Sequence, residues 1–127
     1  MKMILAIIRI AKMNETKIAL SDAGLPSFTA TGVMGRGSGR GLGDTYQQVI
    51  ANPDNKEEIT QIAKSEPRLK SKRCITLVVT DEKKDLAVET IIKVNQTKNS
   101  GDGKIFVFEA LDSVRVRTSE RGDSTLD

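Results

Sequence analysis

The sequence predicts an α+β domain of the βαββαβ, ferredoxin-like type. Three observations predict it. Short β-branched runs alternate with runs of helical period. Their order is strand, helix, strand, long loop, strand, helix, strand. The length, 127 residues, suits one domain with its own core.

Residues 2–10 (KMILAIIRI) are short and β-branched, so they read as the first strand. The apolar opening ends at Arg9, too short a run to span a membrane and without a signal-peptide cleavage pattern. A helix follows over residues 12–24, with Met13, Thr16, Leu20 and Ala23 near one face and Gly24 as its stop. Residues 26–34 form the second strand. From Gly35 to Gly43 every odd position is glycine, so this stretch cannot pack a core and reads as a mobile loop. Beyond it, residues 52–64 suggest a short helix, capped by Asn52, with Ile59, Ile62 and Ala63 as a small apolar face. Residues 72–80 are the third strand. The second helix runs from Asp81 to about Gln96 with Ala87, Ile91 and Val94 inward. Lys104 to Glu109 is the fourth strand. The alternation of Ser113 to Thr118 predicts a short fifth, with the valines buried and the arginines on a cationic face. The expected domain is 1–118, with 119–127 a flexible polar tail.

Composition excludes several chemistries. There is no histidine, which removes His-based acid–base and nucleophilic catalysis and most zinc sites. A single cysteine, Cys74, forms no internal disulfide and fits a reducing cytoplasm. Aromatics are 3% of residues, too few for a base-stacking RNA surface. The net charge of +3 is a mild lean toward anions without the basic blocks of a nucleic-acid arm. No paired carboxylates stand out, and no Walker motif is present.

Three pieces carry chemistry. Gly101-Asp102-Gly103-Lys104 precedes an apolar strand. It is either an ordinary tight turn or a cradle whose backbone N–H groups and lysine receive an anion. Arg115 and Arg117 are two apart, which on a strand puts two guanidiniums on one face. That face is either solvated or closed on an anion. The glycines of 35–43, with Arg36 and Arg40, are either a linker or a loop that orders around a ligand.

Together these pieces resemble the PII family of nitrogen signalling proteins. Thr97-Lys-Asn-Ser-Gly-Asp-Gly-Lys-Ile-Phe-Val107 is similar to the family's T-x-x-x-G-D-G-K-I-F-V signature, and Val114-Arg-Val-Arg-Thr118 to its paired-arginine strand. The resemblance implies a homotrimer, or a heterotrimer with a paralogous PII protein, binding ATP or ADP in clefts between subunits. Gly101, Asp102, Gly103 and Lys104 would line the nucleotide, with Arg115 and Arg117 reaching its phosphates from a neighbour. Thr29, Gly35 and Gly37 would border it, and Val78 would offer backbone near the base. 2-Oxoglutarate would be held by Lys72 with Gly37, Gly39, Arg40 and Gly41. Residues 36–71 correspond to the T-loop that contacts targets, with Arg40, Tyr46, Ile59 and Ile62 as partner residues.

Within the family the chain looks most like the nitrogen-fixation subgroup, NifI, and its second paralogue. Such proteins bind the dinitrogenase component of nitrogenase and inhibit it, and 2-oxoglutarate with ATP relieves the inhibition. The implied protein is a cytoplasmic regulator, not an enzyme, without nucleic-acid partner or membrane insertion. Two alternatives stay open. One is a PII protein acting on an ammonium transporter or on another nitrogen-metabolism enzyme such as glutamine synthetase. The other is a ferredoxin-like phosphate hydrolase. Departures from the family pattern are Gly39, where a glutamine usually helps hold Mg²⁺, and Ser119 in place of the usual glycine. No side-chain metal ligand is assigned, although the resemblance admits Mg²⁺ beside the nucleotide.

Overall fold

A computed structural model describes residues 1–38, 53–55, 57, 61 and 68–127. The chain divides into two compact units, Met1–Gly32 with Lys72–Asp127, and Val33–Ser71. Four strands form one sheet: β1 (Lys2–Ile8), β2 (Thr29–Gly35), β3 (Lys70–Val79) and β4 (Lys104–Glu109). Their order is β2-β3-β1-β4, and β1 is antiparallel to both β3 and β4. Two helices, α1 (Met13–Asp22) and α2 (Lys84–Asn95), supply the crossovers. This is the ferredoxin-like α+β arrangement that the chain order predicts.

The core follows from strand alternation. Ile4, Ala6 and Ile8 are buried, and their register partners Leu77 and Ile75 are buried with them. Leu20 of α1 and Ala87 and Ile91 of α2 close this layer. Each fully buried Ile or Leu contributes about 2 kcal/mol of transfer free energy. The opposite face carries Met3, Leu5 and Ile7, with Phe108 and Phe106 beside Met3 and Leu5. Both phenylalanines remain nearly half exposed, at 45% and 44%.

Two polar residues sit in the helix layer. Asn95 Nδ2 donates to Thr16 Oγ1 at 3.0 Å and to the Ile91 carbonyl at 2.9 Å, and Thr16 Oγ1 donates to the Lys12 carbonyl at 2.7 Å. This bond joins α1 to α2. The period predicted Val94 on the inward face, but Asn95 is the buried residue at this end of α2. Its amide is accommodated there because Thr16 offers an acceptor from the facing helix.

The C-terminal region differs from its sequence reading. Val114 makes a single antiparallel bridge to Arg121, and residues 116–118 form a turn instead of a strand. Val116 is 95% exposed, so the expected buried valine face is absent. Alternation alone does not make a strand, because a strand needs a neighbour to complete its ladder. The segment expected as a loose tail instead carries a 3₁₀ turn, Asp123–Thr125, and bonds back to earlier residues. The helix expected over 52–64 lies largely outside the described residues, which show a 3₁₀ turn at Pro53–Asn55.

Candidate functional site

The loop from Gln96 to Gly103 is built around one carboxylate. Asp102 Oδ2 accepts from the backbone N–H of Thr97 at 2.7 Å and of Lys98 at 2.9 Å. Asp102 Oδ1 accepts from Thr97 Oγ1 and from Arg9 Nη1, both at 2.5 Å. The Thr97 hydroxyl, then Arg9, then the Thr97 amide hold this carboxyl well below the usual carboxylate range. Arg9 also donates through Nη2 to the Ser100 carbonyl at 3.0 Å. Lys72 Nζ donates to the Gly101 carbonyl at 2.8 Å.

These bonds drive the backbone into turns that favour glycine. Gly103 has φ +117°, in the region L side chains avoid. A Cβ there would stand 2.0 Å from the Ile7 carbonyl oxygen, so the loop lies directly on the end of β1. A Cβ on Gly101 would lie 3.2 Å from Arg9 Nη2 and 3.8 Å from Lys72 Nζ. Two cations therefore flank the first glycine. Lys104 opens β4 opposite Ile7 and is exposed. Electrostatically the loop suits an anion, since cations surround its rim and its own carboxylate is consumed internally.

Farther along β3, Val78 and Thr76 line a cavity of about 350 Å³ with Thr29, Phe28 and Leu25. Thr29 Oγ1 donates to the Thr76 carbonyl at 3.3 Å. Thr125, Leu126 and Asp127 also line it.

The expected site residues thus fall into groups. Gly101, Asp102, Gly103, Lys104 and Lys72 belong to the loop and its rim. Thr29 and Val78 line the cavity. Arg115 bonds to Glu120, and Arg117 lies in the exposed turn after it. Gly35 and Gly37 belong to the second unit, where a Cβ added to either meets nothing within 4 Å. Gly39, Arg40, Gly41, Tyr46, Ile59 and Ile62 lie outside the described residues. Among the described residues no cluster of three or more His, Cys, Asp or Glu could hold a metal ion. Sequence reasoning missed Arg9 and Glu120, and had Thr97 only as the first position of the signature. A lone arginine ending an apolar strand was the available signal for Arg9.

The family model for nitrogen regulatory protein P-II matches residues 1–120. The chain belongs to the PII family. Its relatives among PII proteins include a nitrogen fixation nifHD region GlnB-like protein 2 of Methanobacterium ivanovii, 45% identical over 126 residues and covering 99% of both chains. A protein of the same designation from Methanococcus maripaludis is 44% identical over 127 residues, covering 99% of this chain and 100% of that one. The nitrogen regulatory protein P-II 1 of Escherichia coli (strain K12) is 35% identical over 126 residues, covering 99% of this chain and 100% of its own. This PII chain is thus similar along nearly its whole length both to nif-region proteins and to a nitrogen regulatory protein P-II.

Proposed function

We propose that this PII protein senses ATP or ADP together with 2-oxoglutarate, and that it binds the dinitrogenase component of nitrogenase to inhibit it. The observation that carries the ligand reading is the Asp102-centred loop, whose first glycine, Gly101, is flanked by Arg9 and Lys72. Lys72 and Val78 are six positions apart on β3, about 20 Å at ~3.3 Å per residue. That span suits a ligand with several negative charges at one end and an apolar ring at the other. Arg9 and Lys72 also give a dicarboxylate two cationic partners beside Gly101; Mg²⁺, if bound, would supply charge neutralisation to the anions there, no carboxylate cluster for it being found among the described residues.

The nitrogenase target is supported by the nif-region designation of its relatives. A regulatory and not an enzymatic role fits a loop whose only carboxylate is engaged by the Thr97 and Lys98 amides, the Thr97 hydroxyl and Arg9. The half-exposed Phe106 and Phe108 on the sheet face support association with a partner, and the family reading makes that assembly a trimer, either of this chain or mixed with a paralogue. Cytoplasmic residence fits its one unpaired cysteine; no helix of the described residues is long and apolar enough to cross a membrane.

Calorimetric titration with ATP, ADP and 2-oxoglutarate tests the sensing reading. Saturable ATP binding, tightened by 2-oxoglutarate, is expected. No nucleotide binding would overturn it. Addition of the protein to a nitrogenase assay tests the target, with inhibition relieved by ATP plus 2-oxoglutarate as the expected result. Capture of an ammonium transporter without any effect on nitrogenase would redirect the proposal to that target.

A further inference from the structure

Arg115 is one of the two arginines expected at nucleotide phosphates, and the structure holds it on its own chain. Its Nη1 donates to Glu120 Oε2 at 3.0 Å, and its Nη2 reaches the Ser124 carbonyl at 3.5 Å. The backbone closes around this pair. Arg115 N donates to the Glu120 carbonyl at 2.9 Å, and Gly122 N to the Ser113 carbonyl at 2.9 Å. Thr125 Oγ1 bonds to Ser113 Oγ at 2.6 Å. At the far end, Lys83 Nζ donates to the Asp127 carbonyl at 3.0 Å. Between these anchors, Thr125 and Leu126 wall the cavity that contains Thr29 and Val78.

We propose that Glu120–Asp127 is a self-docked strap whose Glu120 carboxylate competes with nucleotide phosphate for Arg115. The inference rests on the nucleotide reading above. Glu120 and the Ser124 carbonyl occupy the Nη1/Nη2 edge of the guanidinium, so a phosphate that takes this edge bidentately displaces both. The Arg115–Glu120 pair is partly solvated, 36% and 48% exposed at the side chains. It is therefore a weak lock, worth a small factor in affinity, which a ligand carrying several charges overcomes. The cavity wall moves with the lock, because Ser124 and Thr125 are bonded to Arg115 and Ser113. Arrival of phosphate at Arg115 thus frees Leu126 from the cavity and Asp127 from Lys83, and the protein's surface changes at its C-terminal segment.

The test uses the full chain, ATP at low salt, and the substitution Glu120→Gln. Glu120→Gln is expected to bind ATP about two- to fivefold more tightly than the native protein, with the difference shrinking at high salt. Lys83→Met, which releases the other anchor, is expected to move affinity the same way. Hydrogen exchange gives a second readout. ATP should raise exchange at the Gly122 and Leu126 amides of the native chain, and Glu120→Gln should raise it without ATP. If the native chain binds ATP while Glu120→Gln binds equally or less tightly and those amides stay protected, the strap is overturned and the nucleotide reading stands. If neither protein binds ATP, the nucleotide reading itself is overturned, and the competition falls with it.

Discussion

Arg9 and Asp102 stand 93 positions apart in the chain and meet at 2.5 Å. The pair ties the end of β1 to the loop before β4. Asp102 also gathers the Thr97 and Lys98 amides, so one carboxylate sets the shape of the entire signature loop. Within the loop its role is architectural, and Arg9 and Lys72 stand beside Gly101.

Acid should remove the stability that this loop contributes. The Asp102 carboxyl is held far below its ordinary pKa by Thr97 and Arg9. A group depressed in the folded state stabilises above the unfolded pKa, about 3.9 for Asp, and that contribution is lost as pH falls toward the folded value. Stability attributable to Asp102 should thus be constant from pH 7 to about pH 5 and decline below about pH 4. Urea midpoints against pH should show a shallower acid decline for Asp102→Asn. An unchanged slope would mean that the carboxylate is not held as described.

Gly103→Ala and Gly101→Ala should differ although both glycines have positive φ. At Gly103 the new methyl meets backbone, the Ile7 carbonyl, at 2.0 Å. That neighbour cannot yield without moving β1, so a loss of about 3 kcal/mol or more is expected. At Gly101 the nearest atom is the end of the flexible Arg9 side chain. The cost there should be about 1 kcal/mol, mostly backbone strain. Thermal melts of the two variants would compare them directly.

Ser119 has φ +63°, which explains structurally why a glycine suits this position. Its amide donates to the Arg115 carbonyl at 2.8 Å, closing the turn. Ser119→Gly should stabilise by about 0.5–1 kcal/mol, the relief of left-handed strain less the added freedom of the unfolded chain. Urea denaturation would measure this gain. A loss would show that the hydroxyl matters more than the strain.

The Thr16–Asn95 bond offers a double-mutant cycle. Thr16→Val removes one acceptor of the buried Asn95 amide and should cost about 1–2 kcal/mol. Asn95 Oδ1 is already buried without a hydrogen bond among the described residues. Thr16→Val combined with Asn95→Leu should thus recover most of that loss, because both polar partners leave together. Chemical denaturation of the four proteins gives the coupling. Simple additivity would contradict the paired role.

The sequence by itself determined what depends on short-range pattern. Short β-branched runs marked the strands of the sheet, helical period marked α1 and α2, and the element order predicted the ferredoxin-like arrangement. The Gly101–Lys104 signature was legible as a turn suited to anions, since its glycines and lysine are adjacent in the chain. The tertiary structure alone decided how that turn is held. Arg9, Lys72 and Asp102 come from three distant places, and no local period relates them. It also decided against a strand at 113–118. The Val-Arg-Val-Arg alternation promised one, but a strand exists only where a neighbour completes its hydrogen bonds, and here the chain turned back on itself at Val114 and Arg121. Asn95 displaced Val94 from the inward face for a similar reason: the facing Thr16 provided a polar partner that propensity cannot foresee. Local geometry is encoded locally, whereas the partner of a buried or charged group is a property of the folded chain.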